Sequence, residues 1–230
     1  MRILFIGDSI TEGIPGASYF EILKDRLIDH QLINLGKGGD TVLSLNERVK
    51  KIHLEADIDL IFLFVGVNDI FVKVSKSYPI IKKVSKQPWA KNKEEFRYFF
   101  NNTLEYLSDK ANKIVVVPPL LIGEDISNVW NVELKSFIEE IRDISKTFNN
   151  IEYLDIREEF INYLEGKSIS NYIPKSATRV LMDVITLKTT EKVDDKASKR
   201  GLHLTLDGVH PNSCGAKLIA ECIEDFIKGM

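Results

Sequence analysis

The sequence predicts an α/β fold, with one open and mostly parallel sheet of five strands and helices on both of its faces. The first observation is a series of short apolar runs, which is how parallel strands covered on both faces read. The second is that segments with helical spacing of apolar residues separate those runs, so strands and helices alternate. The third is composition, because 44% hydrophobic and 28% charged residues are usual for a globular protein. At 230 residues, the chain (1–230) is expected to form a single domain with long insertions.

Four apolar runs are predicted as buried strands, the last of them on a weaker pattern, and a fifth candidate precedes a glycine-rich turn. These segments are 3–6, 60–65, 114–117, 151–156 and, as the fifth candidate, 31–35. Helices are predicted at 17–27, after the first turn, and at 96–107, 133–148 and 218–226, where apolar residues share one face. In such a sheet, ligands bind outside the carboxyl ends of the strands.

Two segments depart from this alternation, one at about 69–93 and one at about 166–206. Each is longer than the two to about six residues that usually connect the elements of an α/β unit. We call them the first insertion and the second insertion, and we expect both to lie near the ligand end of the sheet.

Charge, hydropathy and cysteine spacing exclude several classes of protein. A net charge of −3 offers no basic face for nucleic acid. No segment approaches the roughly 18 apolar residues of a membrane span, and the apolar run after Met1 is too short for a signal peptide, so a cytoplasmic protein is expected. Cys214 and Cys222 lie about 12 Å apart along the predicted last helix, too far for a disulfide. Nothing in the sequence indicates the oligomeric state.

The turn after the first predicted strand contains Gly7, Asp8 and Ser9. It leads into a helix, so Ser9 is expected at the ligand edge, where it feels the positive end of the helix dipole. A nucleophile is expected at such a position. Taken alone, however, the serine is more simply explained as a helix cap, because serine is among the commonest N-cap residues.

A second turn, before the last predicted helix, contains Asp207 and His210. Histidine titrates near neutral pH, so it can remove the proton of a serine and return it to a leaving group. An aspartate that accepts from the other ring nitrogen fixes the tautomer and stabilises the imidazolium. The alternatives are a solvated surface turn or a metal pair with His203, for which the sequence shows no further ligands.

Two further turns offer hydrogen-bond donors for a developing negative charge. Residues 36–41 hold three glycines, which let a backbone N–H approach a substrate closely. Asn68 follows the third strand and brings a side-chain NH₂ group. A flexible loop and an Asx turn are the simpler explanations of each turn by itself.

The four turns together contain every residue type that acyl transfer requires, all at the predicted ligand edge. In the order Ser9, Gly39, Asn68 and His210, the chain resembles the SGNH (GDSL) hydrolase family of esterases, lipases, thioesterases and carbohydrate acetylesterases. The resemblance covers most of the chain outside the two insertions. It implies a flavodoxin-like three-layer α/β/α sandwich.

The resemblance also implies a role for each residue. Ser9 is expected to attack the acyl carbon of a small-molecule ester, with His210 as general base and acid and Asp207 orienting it. The Ser9 N–H, the Gly39 N–H and the Asn68 side chain are expected to form the oxyanion hole, and no metal or organic cofactor is required. Gly39 is the best match to the glycine of the family because Asp40 and Thr41 follow it, with Gly38 and Gly36 as weaker choices.

Other functions remain open at this point. Acyl transfer to an alcohol would use the same residues. A non-catalytic flavodoxin-like ligand-binding module for a phosphate or nucleotide would be expected to have a phosphate-binding glycine pattern after the first strand. Residues 7–13 do not contain such a pattern. A degenerate hydrolase kept as a scaffold would not be expected to retain all the site residues.

The insertions set the expectations about substrate. The lysines of the first insertion indicate a solvated loop, with contact to an anionic acyl substrate as the alternative. The second insertion is hypothesised to be a mobile cover over the acyl site. Four aromatic side chains are candidates either for an acyl pocket or for anchoring the core and loops: Phe71, Trp89, Trp130 and Tyr172.

Overall fold

Five parallel strands form one sheet in a computed structural model of the protein, which describes residues 1–54, 57–174 and 176–230. The strands are β1 Arg2–Gly7, β2 Gln31–Gly36, β3 Ile58–Phe64, β4 Ala111–Val117 and β5 Ile151–Tyr153. Their order across the sheet is β2-β1-β3-β4-β5, and every neighbouring pair is parallel. All five predicted strands are therefore present. The last is shorter than predicted, because it ends at Tyr153 and Ile156 already begins a helix.

The described residues form eleven helices. They are α1 Ser9–Glu12, α2 Tyr19–Arg26, α3 Val42–Val49, α4 Val67–Val74, α5 Tyr78–Val84, α6 Lys93–Ser108, α7 Val129–Ser145, α8 Ile156–Leu164, α9 Ala177–Thr186, α10 Thr190–Lys199 and α11 Ser213–Lys228. Helices α3, α6 and α7 pack next to one another, as do α2, α11 and α8, with one group on each side of the sheet. The fold is thus the predicted three-layer α/β/α sandwich.

The principal helices begin at side-chain caps and bury an apolar stripe. Asn92 accepts a hydrogen bond from the Glu95 N–H at the start of α6, which satisfies a backbone donor that the helix itself cannot. Phe96, Phe100 and Leu104 follow at intervals of four residues and are all buried. This stripe packs towards α3, α7 and the β4 side of the sheet.

The register of the sheet brings three strand ends level. Gly7 at the end of β1 pairs with Gly36 of β2 on one side and with Phe64 of β3 on the other. The chain passes from β1 to its neighbour β2 and then crosses back to β3 on the other side of β1, so the strand order reverses at β1. In doubly wound sheets of this order, that point is where ligands bind.

Both insertions contain helices. The first insertion carries most of α4 and all of α5, and the second carries α9 and α10. The expectation of a fully solvated lysine loop in the first insertion is wrong for Lys82, which is only 1% exposed. Cys214 and Cys222 are both free. No helix in the described part of the chain is long and apolar enough to cross a membrane.

Candidate active site

Three side chains from opposite ends of the chain form a continuous row of hydrogen bonds. Ser9 Oγ lies 2.9 Å from His210 Nε2, and His210 Nδ1 lies 2.9 Å from Asp207 Oδ2. All three residues are buried, with Asp207 the deepest at 1% exposure. The structure therefore brings together residues that are separated by about two hundred positions in the sequence.

Ser9 is held by a tight turn between β1 and α1. The Asp8 carboxylate caps α1 by accepting the Ile10 N–H at 3.0 Å, so Ser9 is the first residue of the helix. Gly7 permits this turn, since a Cβ there would lie 2.2 Å from Thr11 Oγ1 and 2.5 Å from Phe64 O. Ser9 thereby sits just beyond the end of β1, and its N–H is among the helix donors without an intrahelical partner.

Asp207 organises its own loop as well as the histidine. Its Oδ1 accepts the N–H groups of Val209 at 3.0 Å and His210 at 2.9 Å, while its Oδ2 faces the imidazole. Gly208 lies between them with a φ of +90°, and a Cβ there would come within 3.0 Å of Gly123. Both oxygens of Asp207 are therefore in use, and the ring of His210 is fixed relative to it.

Glu124 fixes the preceding residues of the same loop, although no sequence pattern indicated such a role. This buried carboxylate accepts the N–H groups of His203 at 2.7 Å and of Leu204 and Thr205 at 2.8 Å. It also accepts the Thr205 hydroxyl, which in turn accepts the Gly208 N–H. One glutamate in a loop forms no pattern in sequence, because its partners come 79 to 81 residues later.

The charges of the row adjust each other's proton affinity. Burial lowers the pKa of His210, but the charge and hydrogen bond of Asp207 outweigh it, and the net effect raises that pKa above its usual value. Burial raises the pKa of Asp207, but His210 and the two backbone N–H groups hold it below its usual range. Asp207 is consequently ionised, as a partner for an imidazolium must be.

His203 hydrogen-bonds to the backbone and belongs to no group of possible metal ligands among the described residues. Its Nε2 lies 2.8 Å from the Ser168 carbonyl oxygen. In residues 1–54, 57–174 and 176–230, no three histidine, cysteine or acidic side chains are grouped so that they could hold a metal ion.

The residues predicted to supply oxyanion donors lie at the ends of neighbouring strands, close to Ser9. Gly39 has a φ of +77°, and Asn68 lies in the first turn of α4, directly after β3. Both residues line the same cavity as Ser9 and His210. Gly38 comes close as well, since a Cβ on it would lie 4.0 Å from Ser9 Cβ.

The amide group of Asn68 is fully engaged. Its Nδ2 donates to Asp8 Oδ2 at 3.1 Å and to the Asp40 carbonyl oxygen at 3.0 Å, and its Oδ1 accepts from the Tyr78 hydroxyl. An oxyanion would have to share this NH₂ group with one of these acceptors. Burial raises the pKa of Asp8 to about 7, which makes its negative charge easier to lose near neutral pH.

Three side chains of the first insertion contact the residues that carry the predicted oxyanion donors, or the residue next to them. Besides the Tyr78 contact, Lys82 Nζ donates to the Gly39 carbonyl oxygen and Gln87 Nε2 donates to the Gly38 carbonyl oxygen at 2.9 Å. Burial lowers the pKa of Lys82 to about 8, although nearby carboxylates oppose that effect. The only sign in the sequence was the four-residue spacing of Tyr78 and Lys82, which puts both on one face of α5.

A cavity of about 390 Å³ opens from Ser9 and His210 between the two insertions. Of the four aromatic candidates, Phe71 lines it, whereas Tyr172 lies against the guanidinium of Arg200, and Trp130 packs on the core. Trp89 lies at a separate cleft beside Lys83 and Lys86. The apolar wall of the cavity consists of Ile14, Pro15, Val67, Phe71, Ile81, Pro174, Val180, Val184 and Val209.

A Ser–His–Asp row beside amide donors, at the switch point of a parallel sheet, is the arrangement of a serine hydrolase. The comparisons with known proteins identify the family. The model of the GDSL-like lipase/acylhydrolase family matches residues 3–223, and the chain belongs to that family. It is accordingly a carboxylic ester hydrolase of the serine type, as the resemblance implied.

Solved structures share the fold over nearly the whole chain. An acetyl xylan esterase, AlAXEase, is 23% identical with a TM-score of 0.68, over 99% of this chain and 100% of its own. A catalytic mutant of the acetylxylan esterase Axe2 from Geobacillus stearothermophilus is 17% identical with a TM-score of 0.69, over 98% and 93%. LAE5, an α/β hydrolase from the metagenome of Lake Arreo, is 18% identical with a TM-score of 0.66, over 97% and 93%. A search of curated proteins finds no match.

Proposed function

We propose that Ser9 is the nucleophile, His210 the general base and acid, and Asp207 the residue that orients His210. The observation that carries this proposal is the unbroken row of contacts from Ser9 Oγ through both nitrogens of His210 to Asp207 Oδ2, each 2.9 Å long. With Nδ1–H donating to the carboxylate, Nε2 is left as an acceptor for the serine proton. That is the tautomer a general base needs.

The reaction then runs in two halves. Ser9 Oγ attacks the acyl carbon while His210 Nε2 takes its proton, and the tetrahedral intermediate expels the alcohol, which receives that proton from the imidazolium. A water molecule attacks the acyl-enzyme with the same assistance, releasing the acid and restoring Ser9. Acyl transfer to an alcohol differs only in the attacking molecule, so product analysis with added alcohol distinguishes the two.

The negative charge of each tetrahedral intermediate is proposed to be held by the Ser9 N–H, the Gly39 N–H and the Asn68 amide. The positions of these donors support the proposal, because all three residues border one cavity at the carboxyl ends of β1, β2 and β3. Donors aimed at the place where charge develops lower the barrier without reorganising during the reaction.

We further propose that the acyl group is a hydrocarbon chain of several carbons. The cavity beside Ser9 is walled mainly by apolar side chains, and its volume of about 390 Å³ lies within the usual range for ligand sites. An acetyl group, as the names of two solved structures would indicate for their own substrates, would leave most of this wall without a partner.

The experiment is a series of p-nitrophenyl esters from acetate to palmitate, with wild type, Ser9→Ala and the exposed control Ser198→Ala. We expect Ser9→Ala to lose nearly all turnover and labelling by a fluorophosphonate while remaining folded by circular dichroism, and the control to match wild type. The wild-type optimum should lie at an intermediate chain length. Turnover by Ser9→Ala would overturn the nucleophile, whereas an optimum at acetate would overturn only the hydrocarbon chain.

The proposal also includes the predicted domain organisation, the kind of substrate and the cellular location. One contiguous cluster of buried apolar residues extends from Ile3 in β1 to Ile227 in α11, which supports a single domain carrying two insertions. A small-molecule ester as the partner and a cytoplasmic location complete the proposal.

A further inference from the structure

We propose that Tyr78, Lys82 and Gln87, all from the first insertion, are positioning residues for the oxyanion hole. This inference rests on the proposed function, because it takes the Gly39 N–H and the Asn68 amide as the donors to the oxyanion. The three side chains hydrogen-bond to the groups around the proposed donors and not to Ser9, His210 or Asp207. Gln87 and Tyr78 each hold an oxygen whose position orients a proposed donor, and Lys82 holds the carbonyl oxygen of Gly39 itself.

Gln87 acts on the peptide bond between Gly38 and Gly39. Its Nε2 donates to the Gly38 carbonyl oxygen at 2.9 Å, and the side chain is buried. Because a trans peptide is planar, the Gly38 C=O and the Gly39 N–H point in opposite directions. Holding the oxygen towards Gln87 therefore turns the Gly39 N–H away from it, and a glycine pair has little other resistance to rotation of that plane.

Lys82 acts on the next peptide bond. Its Nζ donates to the Gly39 carbonyl oxygen, lies 3.3 Å from Gln87 Oε1, and sits 4.7 Å from the centre of the Tyr78 ring. A Cβ on Gly39 would come within 2.7 Å of this ammonium group, so lysine and loop fit closely. With 1% exposure and these partners, the ammonium group of Lys82 is held by the Gly39 loop.

Tyr78 fixes the remaining donor. Its hydroxyl donates to Asn68 Oδ1, so the amide oxygen points towards α5 and the NH₂ group to the opposite side. There the NH₂ group meets Asp8 Oδ2 and the Asp40 carbonyl oxygen, next to the Ser9 turn. Without the hydroxyl, the planar amide can rotate and present its oxygen where the donor is needed.

The test compares Gln87→Leu, Lys82→Met and Tyr78→Phe with the matched exposed controls Lys83→Met, on the same helix, and Tyr98→Phe, on α6. Loss of an oxyanion donor itself lowers kcat by about 10²- to 10³-fold. We expect each positioning variant to lower kcat by about 10-fold or more, with KM within about threefold of wild type. The controls should keep the wild-type kcat.

A second readout separates positioning from general stability. An alkyl trifluoromethyl ketone forms a tetrahedral adduct on the serine, so its Ki should rise in proportion to the loss of kcat/KM, while the binding of a non-reacting alcohol product should not change. Tyr78→Phe removes a single oxygen and serves as the decisive variant if Gln87→Leu or Lys82→Met does not fold.

The outcomes distinguish the two proposals. If Ser9→Ala is inactive but Tyr78→Phe and a folded Gln87→Leu keep kcat and the ketone Ki, the positioning role is overturned and the proposed function stands. The same holds if the variants raise only KM. If Ser9→Ala still turns over esters, the nucleophile is wrong and the positioning role falls with it.

Discussion

The two insertions are alike in sequence, since both are long, charged and placed near the ligand edge, but they meet the site in different ways. The first insertion sends polar atoms of Tyr78, Lys82 and Gln87 to the backbone and amide groups beside Ser9. Both insertions contribute apolar side chains to the cavity wall, Phe71 and Ile81 from the first, but the described lining residues of the second, Pro174, Val180 and Val184, are all apolar. From the proposed function we therefore expect changes in the first insertion to alter the rate of the chemistry, and changes in the second to alter the preference among acyl groups.

The largest expected effect tests what holds the second insertion in place. Arg200 Nη2 lies 2.8 Å from Asp183 Oδ2, with side-chain exposures of 6% and 7%, and Arg200 Nη1 donates to the Leu206 carbonyl oxygen at 2.9 Å. Arg200→Met leaves the Asp183 carboxylate buried and unpaired, so we expect the free energy of unfolding to fall by about 3 to 5 kcal/mol in urea titrations. The double variant Arg200→Met/Asp183→Leu should recover most of it. A loss below about 1 kcal/mol would contradict the importance of this pair.

The next effect tests the chemistry on the side of the first insertion. Asn68→Ala should lower kcat by about 10²- to 10³-fold, or about 2.7 to 4 kcal/mol, with little change in KM, because it removes a donor used in the transition state. Stopped assays with a p-nitrophenyl ester measure both constants. Asn162→Ala, on the exposed face of α8, is the control. If Asn68→Ala kept kcat within about threefold, the Asn68 amide would not be an oxyanion donor, and the contact of Tyr78 with it would have no part in catalysis.

A smaller effect tests the cavity wall. Val180→Phe should fill part of the cavity and lower kcat/KM for the longest accepted ester by about 10-fold relative to acetate, since one or two methylenes are worth about 1 to 3 kcal/mol in an apolar pocket. Met182→Phe is the matched control, because this position is on the same helix and is 57% exposed. An equal loss on acetate and on long esters would show that the second insertion affects catalysis and not only chain length.

The smallest effect concerns pH and should be independent of both insertions. Since the pKa of His210 is raised above 6.5 and only the neutral imidazole acts as base, kcat/KM should fall as pH decreases, with a midpoint above 6.5. Asp207→Asn removes the charge that favours the imidazolium, so the midpoint of its residual activity should move to lower pH. Gln87→Leu and Val180→Phe should retain the wild-type midpoint. A shift in either variant would mean that an insertion reaches the acid–base pair.

Much of the sheet and the Ser–His–Asp row could be predicted because both depend on local patterns. A buried parallel strand is a short apolar run, and the strand ends bring their turns to one edge wherever they lie in the chain. The end of β5 was harder to predict, because Leu154 and Ile156 prolong the apolar run although the chain already turns into α8 there. Hydropathy alone does not separate the last residue of a strand from the first residue of a helix.

The supporting polar residues could not be predicted, because their partners are distant in sequence. A lysine is normally solvated. Lys82 is buried because its ammonium group donates to the Gly39 carbonyl oxygen and interacts electrostatically with several carboxylates. Gln87 likewise finds its acceptor on a loop 49 residues earlier. Such contacts depend on how the first insertion packs on the edge of the sheet. The spacing of residues within the insertion does not predict that packing.

The loop that Glu124 holds also has a consequence for the order of events during synthesis. The carboxylate emerges with the β4–α7 connection, but the N–H groups that it accepts belong to residues translated 79 to 81 positions later. Until then Glu124 lacks these partners, and the chain does not yet contain Asp207 or His210, the proposed partners of Ser9. If these residues have the proposed roles, a ribosome-bound chain can complete the sheet and the Ser9 turn while inert towards esters, and it gains activity only after the segment before α11 is made.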